Sequence, residues 1–433
     1  MICQKQQMAH GNNSQNISAY KAAYKRHRRR PLDPTFIEDL EELVDFCKTS
    51  SDPRIVDLNS KVDGKIHGGN SSAIDDFSYR GPRYGLNSHP GFIYIPQALG
   101  KNIQNDLAYQ ALTEFLNPPH ATNIDLVPIK ENELENGTLS MWELWKKSLG
   151  CDDDAHFGNE QSMKSSFHKL RKQSAKSGNQ ANLHFYKSFD KLSWATTGYH
   201  YDWTARAYVE ERKSPMPKEL VRLGSIFASL DPSLKSTCTE QNVQTTGIPS
   251  IPSTQPQHDS FNTSTSASII NYYSLKSNMG GHRDDLELDF TKPVVSLSLG
   301  LPAVFLLGNK TKDDPVVPIL VRPGDVMLLA GESRLCYHGM ARVIPAEVPV
   351  PVAGPKIDGV NVKEFQIQSW ESINNGEFSF GKELCIPKSE LEPAERFLSK
   401  HRININVRQV LPHGITKIPK NPASMLDNIH TNV

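Results

Sequence analysis

From Ser268 onward the chain consists of short apolar runs broken by turns, and this texture constrains the fold more than anything before it. Ile269 to Leu275, Val294 to Gly300, Val304 to Leu307, Val316 to Val321, Val326 to Ala330 and Ile403 to Val410 each have the length of a strand. Turn residues such as Pro323-Gly324-Asp325 punctuate them. Several strands at such close spacing assemble as a sandwich or barrel. The composition agrees. Hydrophobic residues make up 37%, and 27 Gly and 29 Pro suit a loop-rich β protein better than a helical bundle.

Charge excludes a global attraction to polyanions. Lys+Arg and Asp+Glu number 48 each, so any basic surface is local. The six cysteines (Cys3, Cys47, Cys151, Cys238, Cys336 and Cys385) form no Cys-x-x-Cys pair. A disulfide framework or structural zinc site is therefore not expected, and a reducing compartment fits. No apolar run approaches the roughly 18 residues needed to cross a bilayer, and no secretory leader is visible.

The segments before the strands are more varied. Residues 1–31 carry seven Lys or Arg and no acid. They read as a disordered basic tail, a nuclear signal, a mitochondrial address or a nucleic-acid arm. Helical spacing predicts an amphipathic helix over Phe36 to Lys48, and helices over Pro96 to Leu116, Leu139 to Leu149 and Met216 to Leu230. Residues 50–90 read as loop and Gly91 to Ile95 as a strand. Residues 151–193 mix basic and aromatic side chains, a pattern that tracks a phosphate backbone or simply coats a solvated insertion. Residues 233–266 are low-complexity and lack the apolar content for a core. A polar insertion (345–385) and a helix (388–400) precede the last strand. The implied division is a tail (1–31), a helical and loop extension (32–193), a strand-rich domain (194–415) and a C-terminal tail (416–433).

Two residues apart on an extended segment, His282 and Asp284 point to the same face. Joined by a histidine from a distant strand, such as His338, they form a facial triad that leaves metal positions open and suits non-haem Fe(II). His200-Tyr201-Asp202 is a rival pattern, but no strands follow it to build a barrel wall. Arg402-Ile403-Asn404-Ile405-Asn406-Val407-Arg408 alternates strictly, placing Arg402, Asn404, Asn406 and Arg408 on one face. That face suits either the solvated side of an edge strand or a buried grip on a dicarboxylate, since Arg binds carboxylates bidentately. Asn271 and Tyr273, also two apart, are placed to add hydrogen bonds to the same ligand.

Together these residues resemble the AlkB family of Fe(II)/2-oxoglutarate dioxygenases. The signature is His282-x-Asp284, His338 and Arg402-x5-Arg408, with Asn271-x-Tyr273 upstream. Gly331-Glu332-Ser333-Arg334-Leu335 and Val295 to Gly300 add to it; Asn406 departs from the Ser or Thr frequent there. Ala19 to Lys25, Pro90 to Pro96 and Gly198 to Trp203 are similar to the AlkB homologue 1 subgroup. The resemblance implies an α+β fold: a double-stranded β-helix (jelly-roll) core with flanking helices and polar insertions. It implies Fe(II) on His282, Asp284 and His338, and O2 as oxidant. It implies 2-oxoglutarate on Asn271, Tyr273, Arg402, Asn404 and Arg408. Trp194, Tyr199 and Tyr201 would contact substrate, and Glu287 would recognise the base. The implied activity is oxidative demethylation of nucleobases, in tRNA first (N1-methyladenosine or 5-methylcytosine) and in DNA second. A monomer in mitochondria, nucleus or cytoplasm is expected, with no membrane partner. The competing expectations are a histone or protein demethylase, and a jelly-roll binding module without turnover.

Overall fold

The structure is a computed structural model. It describes residues 17–28, 40–59, 79–123, 192–232, 261–350 and 356–419, apart from 118, 203–205, 377 and 413, together with Trp142 and Lys146. Nearly all of the 151–193 and 233–266 segments and of the Leu139 to Leu149 helix lies outside the described residues, as do residues 1–16 and 420–433.

Among the described residues, ten strands form a major sheet. Its order is β1 (Ile55–Asp57), β2 (Tyr84–Leu86), β3 (His89–Ile95), β12 (Val326–Leu329), β9 (Val294–Gly300), β16 (His401–Gln409), β7 (Ser266–Ser274), β5 (Trp194–Asp202) and β4 (Ala121–Thr122), with β6 (Ala207–Lys213) on β5. A minor sheet runs β11 (Val317–Val321), β10 (Ala303–Leu307), β13 (His338–Val343), β8 (Met279–His282). A small hairpin pairs β14 (Lys356–Ile357) with β15 (Val360–Asn361). Every strand pairing is antiparallel.

Strand alternation sorts the side chains into layers. Val295, Leu297, Leu299, Ile403, Ile405 and Val407 leave one face of the major sheet. They pack against helices α2 (Lys101–Leu112), α3 (Lys218–Ala228) and α4 (Lys388–Leu398). On the other face Tyr94, Val294, Met327 and Leu329 meet Leu307, Ile319 and Val321 of the minor sheet. The molecule is thus helices, major sheet and minor sheet, each covering an apolar face of the next. Helix α1 (Ala19–His27), capped by Ser18, covers the outer face of the minor sheet.

Several expectations are corrected. The helix expected over Phe36 to Lys48 ends by Glu41. Val44 instead forms a parallel bridge with Ile319, and Phe46 stacks on Tyr94 with ring centroids 4.2 Å apart. Apolar residues at helical spacing here fill two separate holes. The basic tail is not wholly disordered, since α1 is docked. Residues 50–90 contain β1 and β2, so that stretch is not all loop. The boundary expected at 193/194 is not a structural one, because β3 lies in the major sheet beside β12 and α2 lies in its core. The polar insertion at 345–385 contributes Ile367, Trp370, Ile373 and Phe380 to that core. Its polarity lies in the residues between these anchors.

Trp370 is 1% exposed. Trp370→Ala is expected to destabilise the chain by about 3–5 kcal/mol through the cavity left behind. A surface insertion would change stability by about 0.5 kcal/mol or less. Urea unfolding, read at the midpoint with unchanged slope, distinguishes the two.

Candidate active site

A cavity of about 440 Å³ lies between the sheets. Strands β7 and β16 supply Asn271, Tyr273, Arg402, Asn404, Asn406 and Arg408 to its wall. His282, Asp284 and His338 project into it from the minor-sheet side. His338 of β13 is the cross-strand partner of His282 in β8, so antiparallel register joins ligands far apart in sequence. One ligand atom from each of the three lies within 4.8 Å of the others, and the His338 Nε2 to Asp284 Oδ2 distance is 3.7 Å. Among the described residues this is the one cluster suited to a metal.

The donor set fits Fe(II). His338 Nδ1 lies 3.0 Å from the Cys336 carbonyl and His282 Nδ1 3.1 Å from the Gly280 carbonyl. A carbonyl only accepts, so each Nδ1 carries the proton and each Nε2 keeps its lone pair for a metal. Burial, and then the neighbouring His282, pushes His338 down to about 4, so its imidazole is neutral near pH 7. Burial works against the charged form of Asp284. Arg408, the two histidines and Arg334 outweigh it and hold the carboxyl well below the usual range.

Behind the triad sits a closed charge cluster. Arg408 Nη1 donates to Asp284 Oδ1 at 2.9 Å and to Glu287 Oε1 at 3.1 Å. Arg334 donates to Glu287 Oε2 at 3.1 Å and to the Asp284 main-chain oxygen at 2.6 Å. Tyr208 donates to Glu287 Oε1 at 2.8 Å. Glu287 is 1% exposed and both its oxygens are occupied. Glu287 lines the cavity, where its carboxylate balances the arginines. Arg408 steadies the metal carboxylate.

Arg402 is different. It is 2% exposed, and its Nη atoms reach only neutral oxygens: Ser298 Oγ at 2.9 Å and the Leu301 carbonyl at 3.2 Å. Its Nε has no hydrogen-bond partner. No carboxylate among the described residues pairs with it. Burial pushes it down to about 10, with Tyr273 partly opposing. A buried cation without a counter-charge is costly, and an anionic ligand in the cavity relieves that cost. Arg402 pairs in register with Tyr273, and Asn404 with Asn271, so four expected cosubstrate contacts share one patch. This arrangement fits a dicarboxylate with one end at the triad and the other at Arg402.

The aromatic residues divide. Tyr201 lines the cavity mouth, whereas Trp194 and Tyr199 are not in its wall. Tyr199 is fully buried, donates to Glu210 Oε2 at 2.7 Å and lies under Lys213. Trp194 pairs in register with Asn271, which puts it on the cavity side of the sheet although outside the cavity wall itself. The rival His200-x-Asp202 is occupied otherwise: His200 Nε2 meets Ser214 Oγ at 2.9 Å, and Asp202 pairs with Arg212 at 2.8 Å. Sequence reading missed the roles of Tyr208, Arg206 and Arg334. Arg206 lines the cavity from the position just before β6 and has a φ of 51°, a conformation unusual for a non-glycine residue. Of the three, only Arg334 lay in a motif already singled out.

Arg402 and the His200–His120 pair each have a measurable consequence. Arg402→Ala should raise the 2-oxoglutarate concentration needed for half-maximal turnover at least about tenfold, because charge-assisted bidentate contacts are lost. The nucleic-acid requirement should move far less, and steady-state titration of each separately reads the difference. The second concerns His200 and His120, whose rings flank Ser214 Oγ at 2.9 and 2.8 Å. Burial, then His120 and Arg212, lowers His200 to about 4, and burial lowers His120. The folded state holds both neutral, so below about pH 6.5 the unfolded chain binds protons that the folded one refuses. Stability present above that pH should be lost as it falls toward 4. Thermal midpoints across this range should drop, and less steeply in His200→Gln.

Comparison with known proteins agrees with the geometry. Residues 158–408 match the model of the 2OG-Fe(II) oxygenase superfamily. The chain is 28% identical over 385 residues to the DNA N(6)-methyladenine demethylase ALKBH1A of Arabidopsis thaliana, covering 86% of this chain and 87% of that one. It is 26% identical over 223 residues to the tRNA demethylase abh1 of Schizosaccharomyces pombe, covering 51% and 54%. Over 74 residues it is 45% identical to the alpha-ketoglutarate-dependent dioxygenase AlkB of Escherichia coli, covering 17% and 34%. The chain belongs to the 2OG-Fe(II) oxygenase superfamily and is an AlkB-type dioxygenase.

Proposed function

We propose that this chain oxidatively demethylates nucleobases in nucleic acid. Transfer RNA is the foremost substrate, with N1-methyladenosine or 5-methylcytosine as the target. The observation that carries this reading is the uncompensated Arg402 in the same cavity as the His282, Asp284 and His338 triad. Fe(II) held there, with 2-oxoglutarate and O2, supplies oxidation of a methyl C–H bond with release of succinate and CO2. A methyl group on nitrogen then leaves as formaldehyde, whereas one on carbon remains as hydroxymethyl. We read the two-sheet core as the double-stranded β-helix.

The chain's own residues have distinct tasks in this reading. Arg402, with Asn271, Tyr273 and Asn404, orients the cosubstrate. Arg408 keeps Asp284 ionised and aligned. At the mouth, Tyr201 offers a ring for a base lifted out of its stack. Arg206 and Arg283, also in the cavity wall, offer charge to flanking phosphates. The fission yeast relative, named a tRNA demethylase, favours RNA. The Arabidopsis relative, named for DNA N(6)-methyladenine, supports methylated DNA as the second substrate.

The test incubates the full chain with Fe(II), ascorbate and 2-oxoglutarate, offering methylated tRNA, methylated DNA or methylated histone peptide. Succinate should form most with tRNA and least with peptide, matched by formaldehyde where the methyl sits on nitrogen and by a hydroxymethyl base where it sits on carbon. Peptide turnover alone would replace this reading with protein demethylation, and none with any substrate from metal-loaded protein would leave a binding module. Asp284→Ala should abolish turnover, since the anionic ligand is gone; retained activity would move the metal elsewhere.

A further inference from the structure

The motif Ala19 to Lys25 has no part in the chemistry described so far, yet the fold brings it to the back of the metal centre. Tyr20, on α1, is 3% exposed. Its ring lies in a cradle whose walls are Gly281 and Gly308, where an added Cβ would come to 2.4 and 2.8 Å from ring carbons, and its hydroxyl reaches Gly339, where an added Cβ would meet that oxygen and the Gly280 carbonyl at 2.8 Å and the Met279 carbonyl at 2.7 Å. Two of these glycines adjoin metal ligands. Gly281 immediately precedes His282, and Gly339 immediately follows His338. The Tyr20 hydroxyl reaches the Leu306 carbonyl at 3.3 Å, and its backbone N–H donates to the Lys312 carbonyl at 2.9 Å. One turn later the Tyr24 hydroxyl donates to Asn278 Oδ1, just before β8.

Strand β8 needs this support. Among the described residues it is an edge strand of the minor sheet, joined to β13 only through His338↔His282 and Met340↔Met279, with an irregularity between them. A ladder so short leaves the position of an edge strand weakly specified. Metal sites tolerate ligand displacements of only about 0.2 Å. The cavity side of β8 is left open for ligands, so rigidity has to come from the opposite face, where α1 lies.

We propose that Tyr20 is a positioning residue for the metal centre. Its ring fills the glycine cradle and fixes the backbone that carries His282 and His338. The helix in the basic N-terminal segment thus acts as a buttress of the active site. Gly281 and Gly308 are required because only a residue without Cβ admits the ring there.

This inference rests on the metal reading of the triad, and the experiment separates the two. Mn(II), a redox-inert probe, is titrated into the full chain, free ion is counted by electron paramagnetic resonance, and thermal unfolding of the metal-free protein reports folding. Tyr20→Phe keeps the ring and should bind Mn(II) within about threefold of the parent; Tyr20→Ala should bind at least about tenfold more weakly while still unfolding cooperatively. Gly281→Ala should also weaken binding, because its Cβ drives against the ring. Added to Tyr20→Ala it should cost much less than it does alone, a non-additivity that general destabilisation does not produce. Parental affinity in Tyr20→Ala, or an equal effect of Gly281→Ala in both backgrounds, would overturn the proposal. Should Tyr20→Ala fail to fold, Gly281→Ala alone decides, and unchanged affinity there refutes the buttress. Failure of the parent to bind Mn(II), or unchanged binding in Asp284→Ala, would instead overturn the metal reading.

Discussion

The active site depends on a buried balance of charge. Asp284 and Glu287 face Arg334 and Arg408 in a cluster whose side chains are 12% exposed or less. Two cations and two anions cancel, so the metal carboxylate stays ionised inside the protein without a strong local field of its own. Removing any one member would strand a charge, at a typical cost of about 3–5 kcal/mol. The cluster also has direction. Arg408 grips one oxygen of Asp284, which leaves the other toward His338. Arg402 stands outside this balance, and its unmatched charge gives the cavity a preference for anions.

This electrostatic arrangement is possible because β16 is an interior strand. It lies between β9 and β7, with helices against its apolar side. Ile403, Ile405 and Val407 anchor it there, fully buried. The same alternation then forces Arg402, Asn404 and Arg408 into the space between the sheets. On an edge strand these residues would meet water, and their charges would be screened. In the interior they meet only what the fold supplies: Asp284 and Glu287 for Arg408, and a polar pocket without a carboxylate for Arg402.

The minor sheet solves a different problem. Its ligand-bearing edge must be open toward the cavity and rigid nonetheless. Packing on its outer face by Tyr20, Leu43, Val304, Leu306 and Ala341 provides the rigidity. The chain ahead of the catalytic strands is therefore part of the architecture. Tyr94, Phe46 and Tyr84 fill the space between the sheets, and α2 seals the far side of the major sheet. A boundary drawn by composition alone separates pieces that share one core.

Six of the strands after Ser268 are legible in the sequence, because apolar runs and period-two alternation read out local geometry directly, whereas β8 and β13, polar or glycine-rich, are not delimited by it. Val294 to Gly300 is a strand with those bounds, and Arg402 to Arg408 presents the two faces its pattern implies. The ligand set was legible for the same reason: His282-x-Asp284 is a local spacing, and His338 and the arginines carry a family resemblance. What each polar side chain meets, by contrast, follows from the fold. Glu287 and Tyr199 look like substrate contacts in the sequence, yet Glu287 pairs with two arginines and Tyr199 with Glu210. Trp370 and Tyr20 lie in polar and basic stretches, yet one is core and the other a plug behind the metal ligands. The physical reason is common to all four. Spacing along the chain says which way a side chain points, whereas its partner comes from a strand or helix up to hundreds of residues away.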